Sequence, residues 1–105
     1  MSYSRKTIKA NTKQRTSTVF IPEWDTEVNI KAVNVIGMTQ IFNQQDAGSR
    51  LVLAVIHGLL DADGKKLLYT EKDFDEVADL HTDIVLAIGT AVMELSHGTE
   101  DQKNS

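Results

Sequence analysis

One stretch of this 105-residue chain is apolar on every side, and it constrains the fold more than any other segment. Residues 51–56 are all Leu, Val, Ala or Ile, and Leu59 and Leu60 extend the run. Periodicity alone does not distinguish a buried strand from a buried helix here. The run is longer than most strands, and Ser49 is a fitting N-cap. We therefore predict a central buried helix over residues 50–60.

The region before this helix has the pattern of a β-hairpin. Residues 16–21 are rich in β-branched and aromatic types, which favour strands. Pro22 and Asp25 then supply turn chemistry, and residues 27–32 alternate polar and apolar with a period of two. We predict an antiparallel hairpin over residues 16–33 with one wet face. Because two strands alone are marginally stable in water, helices must cover the other face.

Three further helices are predicted around the central one. Asn34 is the N-cap of the first, Thr70 and Asp73 form a capping box at the start of a short acidic helix, and Thr82 opens the last, which Gly98 ends. The predicted fold class is α+β, an N-terminal β-hairpin packed on about four α-helices in a single domain. We expect the core to contain Phe20, Val28, Ile30, Phe42, Leu53, Ile56, Phe74, Ile84 and Ile88.

The two ends of the chain are polar, which sets the expected domain organisation. Residues 1–15 are predicted to be a flexible basic arm, residues 16–97 the folded domain, and residues 98–105 a polar tail. The tail has no packed side chain to disturb, so it should tolerate an extension of the chain.

Charge is distributed unevenly along the chain. Residues 1–22 carry five basic side chains and no acidic one, whereas residues 23–105 carry six basic and 15 acidic ones. The acidic body is therefore a poor ligand for nucleic acid or for a membrane surface. The arm is either a solubilising leader or a contact for an acidic partner or a neighbouring copy. Its candidate contact residues are Arg5, Lys6, Lys9, Lys13 and Arg15.

The residues of known catalytic and metal-binding motifs are missing. The absence of cysteine excludes disulfides, thiolate zinc sites and thiol nucleophiles. Asp61 and Asp63 resemble the start of a calcium loop, but Lys72 stands where a bidentate glutamate is needed. The histidines have no metalloprotease spacing, and His57 is expected to be a satisfied or rim residue. No glycine-rich phosphate loop is present. We predict no enzymatic activity, no catalytic residues, no bound metal and no cofactor.

Trp24 is the one aromatic residue in an unusual place, at the tip of the predicted hairpin between Glu23 and Asp25. It either folds back over the edge of the core or serves as an exposed aromatic anchor for a partner, a role that tryptophan often fills. We keep Trp24 as a candidate contact for a partner or for self-association.

Residues 17–97 resemble a known family. Residues 19–24, Val-Phe-Ile-Pro-Glu-Trp, followed by a strand, are similar to the N-terminal hairpin of the small tail assembly chaperones of long-tailed, siphovirus-type bacteriophages. The resemblance continues through the apolar helix into residues 59–67 with their Asp-Gly turn, through residues 69–73, and into the closing helix at 83–96.

The resemblance implies a non-enzymatic assembly factor that acts in the host cytoplasm and is not part of the mature virion. Such proteins bind the long, helical tape measure protein, keep it soluble and help to recruit tail tube subunits around it. The expected partners are therefore the tape measure protein and the tail tube protein, with homo-oligomer formation and with no nucleic acid or membrane. Many members also have a longer form made by frameshifting, and A-rich codons for residues 102–104 would permit one here.

Two other classes stay open. A structural virion component, such as a head-tail connector or a tail terminator, is the nearer rival. A small nucleic-acid-binding regulator would use the basic arm, but residues 34–60 carry Arg50 as their only Lys or Arg, too few for phosphate contacts. Gene order separates a chaperone from a structural virion component, because a chaperone gene should lie just upstream of the long tape measure gene.

Overall fold

Within residues 15–97, a two-stranded antiparallel sheet precedes four α-helices, which confirms the predicted α+β class. The computed structural model describes residues 4–6 and 15–97, so the predicted polar tail and most of the basic arm lie outside it. The elements are β1 (Thr16–Ile21), β2 (Thr26–Lys31), α1 (Val35–Phe42), α2 (Ala47–Gly58), α3 (Phe74–Ala78) and α4 (Thr82–His97), with 3-10 turns at Pro22–Trp24 and Glu71–Asp73.

The register of the hairpin decides which residues of β1 face the core. Val19 lies opposite Val28, and Phe20 lies opposite Glu27. Ile21 shares the inner face with Val19 and is fully buried, whereas Phe20 is 53% exposed on the outer face. The prediction that Phe20 belongs to the core is therefore wrong. Side chains alternate along a strand, and this register gives the inner positions to Val19 and Ile21.

The central buried helix is confirmed, but its bounds differ from the predicted 50–60. α2 begins at Ala47 because Asp46, and not Ser49, is the N-cap: its carboxylate accepts a hydrogen bond of 2.8 Å from the backbone N–H of Ser49. α2 ends at Gly58, and Leu59 then forms an antiparallel bridge with Ile30 of β2. The apolar run thus joins the helical layer to the sheet.

α1 buries a different face from the one expected. The predicted cap is confirmed, since the side-chain oxygen of Asn34 accepts a 2.8 Å hydrogen bond from the backbone N–H of Gly37. A Cβ at Gly37 would lie 2.6 Å from Val33, so this glycine permits close packing. Ile41, one turn further, is fully buried, whereas Phe42 is 52% exposed. Placing Phe42 in the core was wrong, because the line from Gly37 to Ile41 faces inwards.

The rest of the predicted core is largely confirmed. The buried members are Ile30, Leu53, Ile56, Ile84 and Ile88. Val28 and Phe74 are half-buried at the edge of the core. Fully buried residues outside that predicted list include Ile21, Ile41, Val77 and Val92.

Local sequence signals also predicted the capping box before α3 and the turn after α2. The carboxylate of Asp73 accepts a 2.8 Å hydrogen bond from the backbone N–H of Thr70, as a capping box requires. The turn after α2 has Gly64 at a φ of 71°, where glycine is favoured. The backbone N–H of Lys65 donates to the Asp61 carboxylate and holds its pKa below the usual range. This aspartate thus stabilises a turn.

Two glycines allow α2 and α4 to approach each other closely. A Cβ at Gly58 would lie 2.4 Å from a methyl carbon of Val92, and a Cβ at Gly89 would lie 2.9 Å from a methyl carbon of Leu51. Real Cβ atoms essentially never come within 3.0 Å of such neighbours. The α2–α4 contact, the largest between helices of the described residues, therefore depends on both glycines.

Replacing Gly58 with alanine should lower the free energy of unfolding by about 1–3 kcal/mol, because the added methyl overlaps Val92. Gly48→Ala is the matched control, since its new Cβ meets nothing closer than 3.4 Å and it also lies in α2. That control should be neutral or stabilising by up to about 1 kcal/mol. Urea denaturation measures both changes. Equal stabilities for the two variants would contradict the close α2–α4 approach.

Candidate partner-binding surface

Trp24 lies in the 3-10 turn between the strands, where its side chain is 40% exposed. The turn is closed by Asp25, whose backbone adopts a left-handed φ of 47° and donates to the carbonyl of Pro22. The hydroxyl of Thr26 donates to the carbonyl of Trp24 at 2.9 Å. Trp24 thus has a fixed backbone and a partly open ring, and its role as a contact stays a prediction.

Among the basic candidate residues, the structure gives a contact that places Arg15 relative to Trp24. Arg5 and Lys6 are exposed, and Lys9 and Lys13 lie outside the described residues. The guanidinium of Arg15 donates to the carbonyl of Leu95 near the end of α4 at 3.3 Å. Arg15 therefore lies at the open end of the hairpin, about 20 Å from the tip across a six-residue strand.

An apolar groove lies between α2, α3 and α4 and has a volume of about 340 Å³. Its floor is formed by the buried Val52 and Val85, and its sides by Leu51, Phe74, Leu80 and the half-exposed Leu86. Local sequence explains its shape. Asp46 starts α2 at one edge of the groove, and α3 is only five residues long, so it leaves the first turns of α2 and α4 open.

Carboxylates lie next to the lining residues of this groove in the sequence, and it is called the acidic groove below. Asp46 lines it directly, and Asp75, Asp79 and Asp83 each follow a lining residue in the chain. Residues 71–83 contain six carboxylates and a single lysine. Among the residues that the structure describes, no cation forms an ion pair with Asp75, Asp79 or Asp83. The groove therefore combines an apolar floor with exposed carboxylates next to its lining residues, and Arg50 interacts electrostatically with the lining carboxylate of Asp46.

Tyr69 lies near two other carboxylates of the acidic segment 71–83, outside the lining of the groove. Partial burial raises the pKa of its hydroxyl, and the nearby carboxylates of Glu76 and Asp73 raise it further because they disfavour a second negative charge. A cation brought to the same region would be favoured by the same carboxylates.

Asp46 makes the stability of α2 dependent on pH. Hydrogen bonds from the backbone N–H and hydroxyl of Ser49 favour the ionised carboxylate and hold its pKa below the usual range. A lowered pKa in the folded state stabilises the fold above the ordinary aspartate pKa of about 3.9, and this contribution is lost as the pH falls through the folded-state value.

Asp46→Ala should therefore lower the midpoint of thermal unfolding at neutral pH, and the deficit should shrink in stronger acid. Asp46→Asn keeps an acceptor oxygen that does not titrate, so it should remain closer to the natural protein at neutral pH and lack this part of the acid dependence. Thermal unfolding followed by circular dichroism, at neutral pH and in acid, measures the midpoints of the natural protein and of both variants. A deficit of Asp46→Ala that is the same in acid would remove this explanation.

A second apolar surface lies on α1. Val35 and Ile36 are 81% and 70% exposed, and Phe42 lies two turns from Val35 on the same side of the helix. α1 carries no charged residue at all. This face is called the α1 face below, and it differs from the acidic groove because its own helix carries no carboxylate.

Two buried polar atoms have no hydrogen-bond partner among the described residues, the side-chain oxygen of Gln40 and Nε2 of His57. His57 is half-buried beside Gly37, so the prediction of a rim position fits and that of a satisfied side chain does not. Gln40 lines a more polar cleft of about 430 Å³ together with Phe74, which also lines the acidic groove.

The remaining chemistry of the described residues is limited. Within residues 4–6 and 15–97, no three His, Asp or Glu side chains come together as metal ligands. No helix in this part of the chain is both long and apolar enough to cross a membrane. The surface features that stand out are therefore the acidic groove and the α1 face.

Sequence reasoning missed the groove, although one residue carried a signal. Leu86 lies outside the inward stripe of α4 and is 49% exposed. An apolar residue off the buried stripe of an amphipathic helix indicates a second apolar contact. Val35 and Ile36, which flank the buried line of α1, carry the same kind of signal.

Comparison with solved structures identifies a chain of the same fold. The structure of the bacteriophage HK97 tail assembly chaperone superposes with a TM-score of 0.69 over 88% of this chain and 95% of that chain, at 17% sequence identity. No protein-family model matches the sequence, and no curated protein matches it. The resemblance drawn from residues 17–97 is thus confirmed at the level of the fold.

Proposed function

We propose that this protein is a tail assembly chaperone of a long-tailed bacteriophage, which binds the tape measure protein, keeps it soluble and helps to recruit tail tube subunits. The observation that carries this proposal is the fold shared with the HK97 tail assembly chaperone over nearly the whole of both chains. Because one fold can serve many functions, further support must come from the surface of this chain.

The open apolar surfaces provide that support. A long helical protein that awaits enclosure in a tube exposes apolar stripes, and a chaperone must cover them reversibly. The acidic groove and the α1 face offer apolar area that this chain does not bury itself. A domain of this size covers only a short part of a long partner, so several copies would act together. Self-association through the arm residues Arg5, Lys6, Lys9 and Lys13 belongs to the same proposal.

We propose that the protein acts in the host cytoplasm, that it is not part of the mature virion and that it has no enzymatic role. These points distinguish it from its nearest rival, a structural virion component such as a connector or tail terminator. A structural component would remain in the particle at a fixed copy number, whereas a chaperone would leave when the tube encloses the tape measure protein.

Deletion of the gene with complementation in trans tests this proposal. A phage without the gene should produce heads and no tails, and the chain supplied from a plasmid should restore infectious particles. Quantitative mass spectrometry of the purified particles should then find none of the chain. A fixed number of copies per particle would support the structural component instead, and normal tails without the gene would contradict both.

A further inference from the structure

We propose that the acidic groove is the receptor for one amphipathic helix of the partner, with apolar anchors on one face and Lys or Arg beside them. This inference deepens the proposed function and rests on it only for the identity of the partner. The chemistry of the occupant follows from the residues of the groove and of the segments that line it.

The floor of the groove requires an apolar occupant. Val52 and Val85 are nearly buried, and the half-exposed Leu86 stands beside them. Burying this surface against apolar side chains would stabilise a complex by roughly 25 cal/mol for each Å² of apolar area removed from water. A polar occupant would gain nothing from the floor, since it offers no side-chain donor or acceptor.

The elements around the groove favour a helix as the occupant. The walls are α2, α3 and α4, whose interior backbone groups are already hydrogen-bonded within each helix. An extended segment would find no free strand edge there, so its backbone would lose hydrogen bonds to water without replacement. A helix satisfies its own backbone and presents anchors at i, i+3, i+4 and i+7, which is the usual helix-in-groove mode.

The acidic residues next to the lining of the groove favour positive charge on that helix. Asp75, Asp79 and Asp83 are exposed and have no ion pair with any residue that the structure describes. Lysine or arginine beside the apolar anchors would complement them, whereas acidic residues would be repelled. α1 itself carries no charged residue, so charge distinguishes the two surfaces.

A pair of designed helical peptides tests the chemistry directly. Both carry leucine at i, i+3, i+4 and i+7, one with lysine and the other with glutamate beside the leucines. When each peptide is titrated into the full chain at low ionic strength, the dissociation constant of the lysine peptide should be at least about tenfold lower than that of the glutamate peptide. Its affinity should fall as salt is added, because exposed charges are screened within about 8–10 Å at physiological ionic strength.

Amide chemical shifts locate the binding site in the same titration. The largest changes should fall on Leu51, Ala78 and Leu86. Leu86→Glu should weaken binding about tenfold, because it places a charge in the apolar wall. Leu68→Glu is the matched control, since Leu68 is 52% exposed but does not line the groove. It should bind the lysine peptide like the natural chain.

Three results would overturn the proposal. The first is equal binding of both peptides, and the second is chemical-shift changes confined to the α1 face. The third concerns the chain without peptide: the chemical shifts of the groove amides change on dilution, and the double variant Lys9→Glu/Lys13→Glu abolishes that change. The occupant of the groove would then be the arm of another copy.

The peptide result is independent of the proposed function. If the lysine peptide binds in the groove but the chain has no effect on the tape measure protein, the groove stands and the proposed function fails. If the chain and Leu86→Glu keep the tape measure protein soluble equally well, the function stands and the groove is not the site.

Discussion

Replacing Ile56 with alanine should lower the free energy of unfolding by about 2–5 kcal/mol, because its side chain is 1% exposed in the central helix. This loss of stability has two parts: the free energy of transferring the removed methyl and methylene groups out of water, and the cost of the cavity that the neighbouring side chains do not fill. Since small domains are stable by only about 5–15 kcal/mol, this is a large part of the total. Urea denaturation monitored by circular dichroism at neutral pH measures it.

Ile36→Ala is the matched control for this prediction. It makes the same chemical change in a helix, but Ile36 is 70% exposed. Its effect should lie within about 0.5 kcal/mol of zero. A loss below about 1 kcal/mol for Ile56→Ala would place that residue at the surface and contradict the position of α2.

The second large effect concerns the hairpin. Ile21→Ala should also lower the free energy of unfolding by about 2–5 kcal/mol, because Ile21 is fully buried at the end of β1. Its neighbour Phe20 is larger but 53% exposed and lies opposite Glu27. Phe20→Ala should therefore remove only a cross-strand contact, worth about 0.2–1 kcal/mol.

Comparing the two variants in the same denaturation experiment tests the register of the hairpin. A shift of one residue would exchange the faces of β1 and make Phe20→Ala the more damaging change. A greater loss for Phe20→Ala than for Ile21→Ala would thus contradict the pairing of Val19 with Val28.

Apart from the N-cap and bounds of α2, the elements and caps were predictable from the sequence because their causes are local. Asn34 caps α1, Thr70 and Asp73 form the capping box, and α4 begins at Thr82, all at the predicted positions. Each of these signals needs only a side chain within a few residues of the backbone group that it satisfies. The apolar run identified the central helix for a similar reason, since no surface position suits it.

Faces were less predictable, because they depend on what packs against each element. β1 contains three apolar residues in a row, 19–21, so either phase of the strand offers an apolar face, and the register with β2 decides between them. In α1, the close approach at Gly37 turns Ile41 inwards and leaves Phe42 outside. Neither outcome follows from the period of the sequence alone.

The acidic groove could not be predicted for a related reason. Its walls come from α2, α3 and α4, which only the tertiary fold brings together. The acidic residues Asp73, Asp75, Glu76 and Asp79 have the pattern of a solvated helix face, and all of them except the half-buried Asp73 are exposed. The sequence does not show that Leu86 and Val52 line one groove together with residues of this short helix.

The most direct test of the proposed function is the solubility of the tape measure protein encoded by the same phage genome. Expressed alone, that protein should aggregate, and co-expression with this chain should move most of it into the soluble fraction as a complex that copurifies. Co-expression with an unrelated small acidic protein controls for a general effect on expression. A tape measure protein that aggregates equally with and without this chain would contradict the account.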